Sequence, residues 1–244
     1  MNKNKNHKKK YNIKKIFVIN LNRRKDRLNH FESKYNFNIK FDRIEAVDGK
    51  DLNIDELFKN NTIGEYGYKS LKNYRKFHHE LTNNGSVGCY LSHYNNWKSI
   101  SEKDKKNRNY IIFEDDAILN NITLDDVSDR LKKLPDDWDI YLLSNSKFCY
   151  LKEFIGSRIY KVKRFFLTSS YVINKKCIEK IFNTNTIFPI NQQIDSYLSE
   201  LATNYNLNIY VHDESFPYFE QSQQFPTDIQ ESTIHELSYD GYKL

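Results

Sequence analysis

Methionine occurs once in this chain of 244 residues, and cysteine only three times. The core must therefore be built from aliphatic residues and from the 18 Tyr and 16 Phe. Cys89, Cys149 and Cys177 are odd in number and widely spaced, and no C-x-x-C is present. That argues against a zinc site or a disulfide framework and suits a cytoplasmic or other reducing compartment. No apolar run approaches the roughly 18–20 residues of a membrane span. No apolar signal-peptide core follows the basic N-terminus, so a soluble protein is expected. Neither an internal repeat nor a dividing linker is evident, which predicts one domain over residues 15–244 behind a basic, disordered tail at 1–14.

The net charge of +6 conceals an asymmetry. Residues 1–27 hold 11 Lys/Arg and one acid, whereas the other 217 hold 27 Lys/Arg and 31 Asp/Glu. The body is mildly acidic, which disfavours long polyanionic substrates such as nucleic acid. The abundance of Asn, Lys and Ile marks an AT-rich coding sequence and says nothing of mechanism.

Lys15–Leu21 is a continuous apolar run of the kind expected of a strand covered on both faces. Asn20 or Asn22 can cap the helix that follows, whose apolar side carries Leu28, Phe31 and Tyr35. A second strand at Phe41–Val47 ends in the turn Asp48-Gly49. Residues 50–84 read as an irregular excursion or short helices, and Ser86 then caps a helix bearing Val87, Tyr90, Leu91, Tyr94 and Trp97. Further strands are predicted at Asn109–Phe113, Asp139–Ser144, Arg158–Lys163, Phe166–Ile173 and Leu207–Val211, the third and fourth of these able to pair. Helices are expected at Leu124–Leu134, after Asn174 as far as Phe182, and from Gln193 to Tyr205.

Glu114-Asp115-Asp116 is the sharpest chemical signal. Three successive acids behind the buried strand Tyr110-Ile-Ile-Phe113 repel one another and resist desolvation. A divalent cation offsets both costs, and oxygen-only ligands select Mg²⁺ or Mn²⁺. Strand ends of open α/β sheets are also where ligands bind. Strand alternation would put Glu114 and Asp116 on one side and Asp115 on the other, making Asp116 a direct ligand assisted by Asp115 or Glu114. Arg23, Arg24 and Arg27 at the first strand-to-helix junction suit phosphate contact, or else form an exposed basic face. Asp48 can meet a ribose or simply shape a turn. His93 reads equally as a core histidine or a site residue. Asp195, at the start of a helix, is a candidate general base.

Taken in order, four blocks resemble glycosyltransferase family 25: Phe17-Val-Ile-Asn-Leu-Asn-Arg-Arg-Lys-Asp-Arg27, Ile44-Glu-Ala-Val-Asp-Gly49, Gly85-Ser-Val-Gly-Cys-Tyr-Leu-Ser-His93 with Trp97, and Ile112-Phe-Glu-Asp-Asp-Ala117. That family holds bacterial lipooligosaccharide galactosyltransferases and collagen β-galactosyltransferases. Clear matching spans about residues 15–120, with weaker echoes at Thr168–Ile173, Pro189–Asp195 and Gln221–Ile229. The resemblance implies an α/β, GT-A-like nucleotide-sugar-binding fold, a Rossmann-type mixed sheet flanked by helices. It implies a UDP-sugar donor, usually Mn²⁺ (or Mg²⁺), and an inverting displacement that transfers galactose or, next, glucose to a glycan, lipid-linked or hydroxylysine-type protein acceptor. Asp115 and Asp116 would be metal ligands. Asp116 and Asp195 would be catalytic, and Asn20, Leu21, Arg23, Arg27, Ala46, Asp48, Ser92, His93, Glu114 and Asp115 would bind the donor. Gln192-Gln193 depart from the Pro-Val/Leu-Asp context expected before Asp195. The size is nearer to a single-domain enzyme of bacterial or giant-virus type than to the longer collagen enzymes. The alternative is a non-catalytic glycan- or nucleotide-binding protein that keeps the fold.

Overall fold

The computed structural model describes residues 13–73, 77–119, 122–144, 147, 149–213, 219–221 and 225. The predicted tail at 1–14 and the Gln221–Ile229 echo lie largely outside them. Strand β1 (Ile13–Asn20) leads into α1 (Lys25–Lys34) and β2 (Phe41–Glu45). A 3₁₀ turn (Gly49–Asp51), α2 (Ile54–Lys59) and α3 (Glu65–Lys72) fill the excursion before the long helix α4 (Asn84–Lys103). Then come β3 (Asn109–Glu114), β4 (Ala117–Leu119), α5 (Leu124–Leu131), β5 (Ile140–Leu142), β6 (Cys149–Gly156) and β7 (Ile159–Phe165). The chain continues through β8 (Ser170–Asn174), α6 (Lys175–Asn183), α7 (Ile194–Asn204), β9 (Ile209–His212) and β10 (Phe219–Gln221).

Eight strands form one mixed sheet in the order β2-β1-β3-β8-β5-β9-β7-β6, and β10 pairs with β4 in a small ribbon. The α/β class and the mixed sheet flanked by helices are as the sequence leads one to expect. Alternation along β1 and β3 sends Phe17, Ile19, Tyr110 and Ile112 into one core, with Trp97 of α4 and the apolar faces of α6 and α7. Ile16, Val18, Ile111 and Phe113 enter the other, with Phe31 of α1 and Val127 and Leu131 of α5. Both faces are covered, which is why these strands read as unbroken apolar runs.

Three local expectations need correction. Helix α1 has Arg24 at its N-cap position and no side-chain cap. Asn20 is occupied elsewhere, its amide donating to the Arg24 carbonyl and to Asp115. Helix α4 is capped by Asn83, whose side chain accepts from Ser86 N, so Ser86 is the third residue of the helix and not its cap. Strand β7 pairs with β6 and β9, whereas β8 runs antiparallel between β3 and β5. Strands β1 and β2 are parallel, as are β1 and β3, so their C-terminal ends share one edge of the sheet. Antiparallel β8 begins at that same edge.

Candidate active site

The site is built where those strand ends converge. Strand β3 stops at Glu114, and Asp115 and Asp116 form a turn. Main-chain bonds pin it on two sides: Glu114 N donates to Ser169 O at 2.9 Å and Asp115 N to Ile19 O at 3.1 Å. Because the strand has ended, alternation does not carry on to Asp116. Glu114 faces α4 and the loop before β8, accepting from His93 Nε2 (3.3 Å) and Thr168 Oγ1 (2.7 Å). Asp115 and Asp116 both turn toward α1. Arg27 Nη1 donates to Asp115 Oδ1 at 3.1 Å and lies 3.6 Å from Asp116 Oδ2. Asn20 Nδ2 donates to Asp115 Oδ2 at 2.7 Å.

A cavity of about 510 Å³ opens over this turn. Ten of the thirteen residues singled out from sequence line it: Leu21, Arg23, Arg27, Ala46, Asp48, Ser92, Glu114, Asp115, Asp116 and Asp195. Two more, Asn20 and His93, stand behind the wall and hold Asp115 and Glu114. Arg24 is not on the lining; it pairs with Asp26 at 2.9 Å and lies over the Phe225 ring.

Helix α4 supplies a second wall through close backbone contact. A Cβ on Gly88 would lie 2.5 Å from Val47 O, and one on Gly49 would lie 2.4 Å from the Asn84 carbonyl carbon. Only glycine lets the Ala46–Gly49 segment seat against the helix. Ser92 Oγ then accepts from Val47 N at 2.9 Å and donates to Gly88 O at 2.6 Å, which fixes Asp48 at the rim. Arg23 Nε donates to Asp48 there at 2.6 Å.

The third wall is the loop Leu167–Ser169 with the start of α7. Leu167 has a φ of +76°, unusual for a branched residue, and its N–H donates to Asp195 Oδ2 at 3.1 Å. Asp195 Oδ1 accepts from Ser196 N at 2.6 Å. Gln193, where the sequence departs from the expected context, ties down the neighbouring segment: its amide donates to the carbonyls of His78 (2.7 Å) and Glu80 (3.0 Å). His78, Lys50, Cys89 and Thr168 also line the cavity, and reasoning from sequence did not assign them roles. Thr168 was legible only as part of a weak echo, and His78 falls in the unpatterned excursion.

The electrostatics differ from acid to acid. Burial pushes Glu114 up, but its interactions with His93, then the Thr168 hydrogen bond and the nearby Arg27 charge, outweigh it and hold the carboxyl below its ordinary value. Burial prevails at Asp115, raising it despite Asn20 and Arg27. The Arg23 hydrogen bond lowers Asp48. Burial, and then the surrounding carboxylates, keep the Cys89 thiol protonated well above its usual range. The cavity thus gathers carboxylates at one corner with two arginines beside them. Oxygen donors of this kind fit Mg²⁺ or Mn²⁺. Cys89, His93 and Glu114 also bring one sulfur, one nitrogen and one oxygen within 4.8 Å of one another. Among the described residues no helix is long and apolar enough to cross a membrane.

Comparison with known proteins identifies the family. The pattern of Glycosyltransferase family 25 (LPS biosynthesis protein) matches residues 13–198, which include all four strand-end segments of the cavity. The chain is 32% identical to Procollagen galactosyltransferase 1-A of Xenopus laevis over 143 residues, 57% of this chain and 22% of that protein. It is 36% identical to a Glycosyltransferase 25 family member of Drosophila melanogaster over 111 residues, 45% of this chain and 17% of the relative. It is 32% identical to human Procollagen galactosyltransferase 2 over 146 residues, 57% and 22% of the two chains. The matched stretch is thus about a fifth of each relative's length. A nucleoside-diphosphate-sugar pyrophosphorylase from Vibrio cholerae RC9 aligns in structure over 50% of this chain and 55% of its own, at 15% identity and a TM-score of 0.33, too low to carry an argument.

Proposed function

The chain belongs to glycosyltransferase family 25, and from that membership we propose that it transfers a hexose, galactose before glucose, from a UDP-sugar to an acceptor hydroxyl with inversion. The observation that carries this reading is the convergence of Glu114, Asp115 and Asp116 with Arg23, Arg27 and Asp195 on one cavity. A nucleoside diphosphate needs positive charge at its phosphates, and Arg23 and Arg27 supply some of it. Asp115 and Asp116 would hold Mn²⁺ or Mg²⁺, which when bound neutralises charge on the departing diphosphate. Asp48 and the main chain of Ala46–Gly49 suit the ribose or base.

The acceptor oxygen attacks the anomeric carbon as the bond from that carbon to the diphosphate oxygen breaks. The hydroxyl proton passes to Asp195, the base we assign. The main-chain N–H groups of Leu167 and Ser196 orient its carboxylate in the cavity wall. The relatives' names favour galactose and a protein acceptor; glycan and lipid-linked acceptors share the same hydroxyl chemistry.

The test is sugar-nucleotide turnover in Mn²⁺, with UDP-galactose and UDP-glucose compared. Asp116→Ala is expected to abolish turnover while its melting temperature stays near wild type. Full turnover in that variant would remove the acid turn from the mechanism. A screen of UDP-sugars for Mn²⁺-dependent thermal stabilisation identifies the donor, because a ligand that favours the native state raises apparent stability.

A further inference from the structure

We propose that Trp97, Tyr171 and His93 form a one-directional hydrogen-bond chain that locks the His93 tautomer and positions the Glu114 carboxylate at the cavity wall. Trp97 and Tyr171 lie outside the cavity lining, in the core between α4 and β8. The indole N–H of Trp97 can only donate. It lies 3.0 Å from Tyr171 Oη, so the phenol oxygen is the acceptor there. Tyr171 is buried, and among the described residues its own proton has one acceptor in reach, His93 Nδ1 at 2.8 Å. Leaving that hydroxyl proton without a partner in the core would forfeit a hydrogen bond that water supplies in the unfolded chain. Nδ1 therefore accepts.

A neutral imidazole that accepts at Nδ1 carries its hydrogen on Nε2. That N–H points at Glu114 Oε1, 3.3 Å away. Thr168 Oγ1 donates to the same oxygen at 2.7 Å. Two donors from separate elements, α4 and the loop before β8, thus fix one oxygen of Glu114. Among the described residues Oε2 takes no hydrogen bond and is the oxygen offered to a ligand. The same logic bears on the Cys89–His93–Glu114 cluster: His93 presents a proton to Glu114 and not a lone pair to a cation. His93 is accordingly a positioning residue, and Tyr171 and Trp97 position it in turn.

The tautomer stands on hydrogen-bond geometry alone, whereas its consequence for turnover rests on the function proposed above. Two arms separate the two. In the first, the full-length protein labelled with ¹⁵N-histidine is examined by long-range ¹H–¹⁵N correlation near pH 7.5, with His93→Gln used to assign the signal among seven histidines. The expected pattern is a neutral ring protonated at Nε2, losing that bias in Tyr171→Phe. A ring protonated at Nδ1, or doubly protonated, overturns the chain whatever the activity.

In the second, UDP-sugar turnover is compared among folded variants checked by melting temperature. His93→Met is expected to lose about tenfold or more in kcat/KM, the scale seen when a supporting partner is removed. His93→Gln is expected to recover much of that loss, since its amide can accept from Tyr171 and donate to Glu114. His93→Met with wild-type kinetics would overturn the positioning role. Absence of turnover in the wild type would count against the proposed function and leave the first arm to decide the chain.

Discussion

At the scale of single residues, the site depends on how buried charge is compensated. Arg27 and Asp115 are each less than a tenth exposed and form an ion pair. Removing one partner of such a pair typically costs about 3–5 kcal/mol, because the other is left buried and uncompensated. Arg27→Met is therefore expected to lower stability by an amount in that range, measured by urea unfolding. Asp195→Asn should act differently: it should retain Mn²⁺-dependent stabilisation by the donor yet lose transfer, since amide and carboxylate differ chiefly in taking up a proton. The carboxylates were legible in sequence because an acidic run behind Tyr110-Ile-Ile-Phe113 is improbable as a mere turn. Their individual directions were not, because alternation presumes a strand and the strand ends one residue into the run.

At the scale of elements, the seating of Ala46–Gly49 against α4 decides the cavity's shape. Gly88→Ala would drive a methyl group to 2.5 Å from Val47 O, a backbone atom that cannot simply rotate away. Overpacking of this kind costs about 1–3 kcal/mol. A reduced melting temperature together with a raised donor KM is expected, since the rim carrying Asp48 must move. The glycines stood in the family blocks, but their partners did not, because close approach is a property of two segments distant in sequence. The same holds for pairing. Strand β6 is exposed along most of its length, so it lacks the alternation that announces a half-buried strand and was missed. Its absence from the reading made β7 and β8 look like partners.

At the scale of the whole molecule, acid sensitivity has an identifiable source. Burial, aided by the charges of Arg130 and Lys133, depresses His212 from 6.5 to about 4. Between those values the unfolded chain binds a proton that the native state refuses, so this residue's contribution to stability falls as pH drops through that window. Unfolding curves for His212→Gln should show a shallower decline from pH 6.5 to 4 than wild type, the difference approaching one proton at the midpoint. The fold class was legible because two covered sheet faces impose continuous apolar strands. The order of strands was not, because no local pattern encodes which edges meet.

The cavity floor is laid by strands entering from opposite directions, β1 and β3 ending where β8 begins, and its walls draw on residues from Ile19 to Asp195. No fragment shorter than residues 19–195 holds the complete pocket. Capture of a sugar nucleotide therefore serves as a gauge of finished folding: a chain stalled before α7 docks would have the acid turn and yet fail to retain the donor.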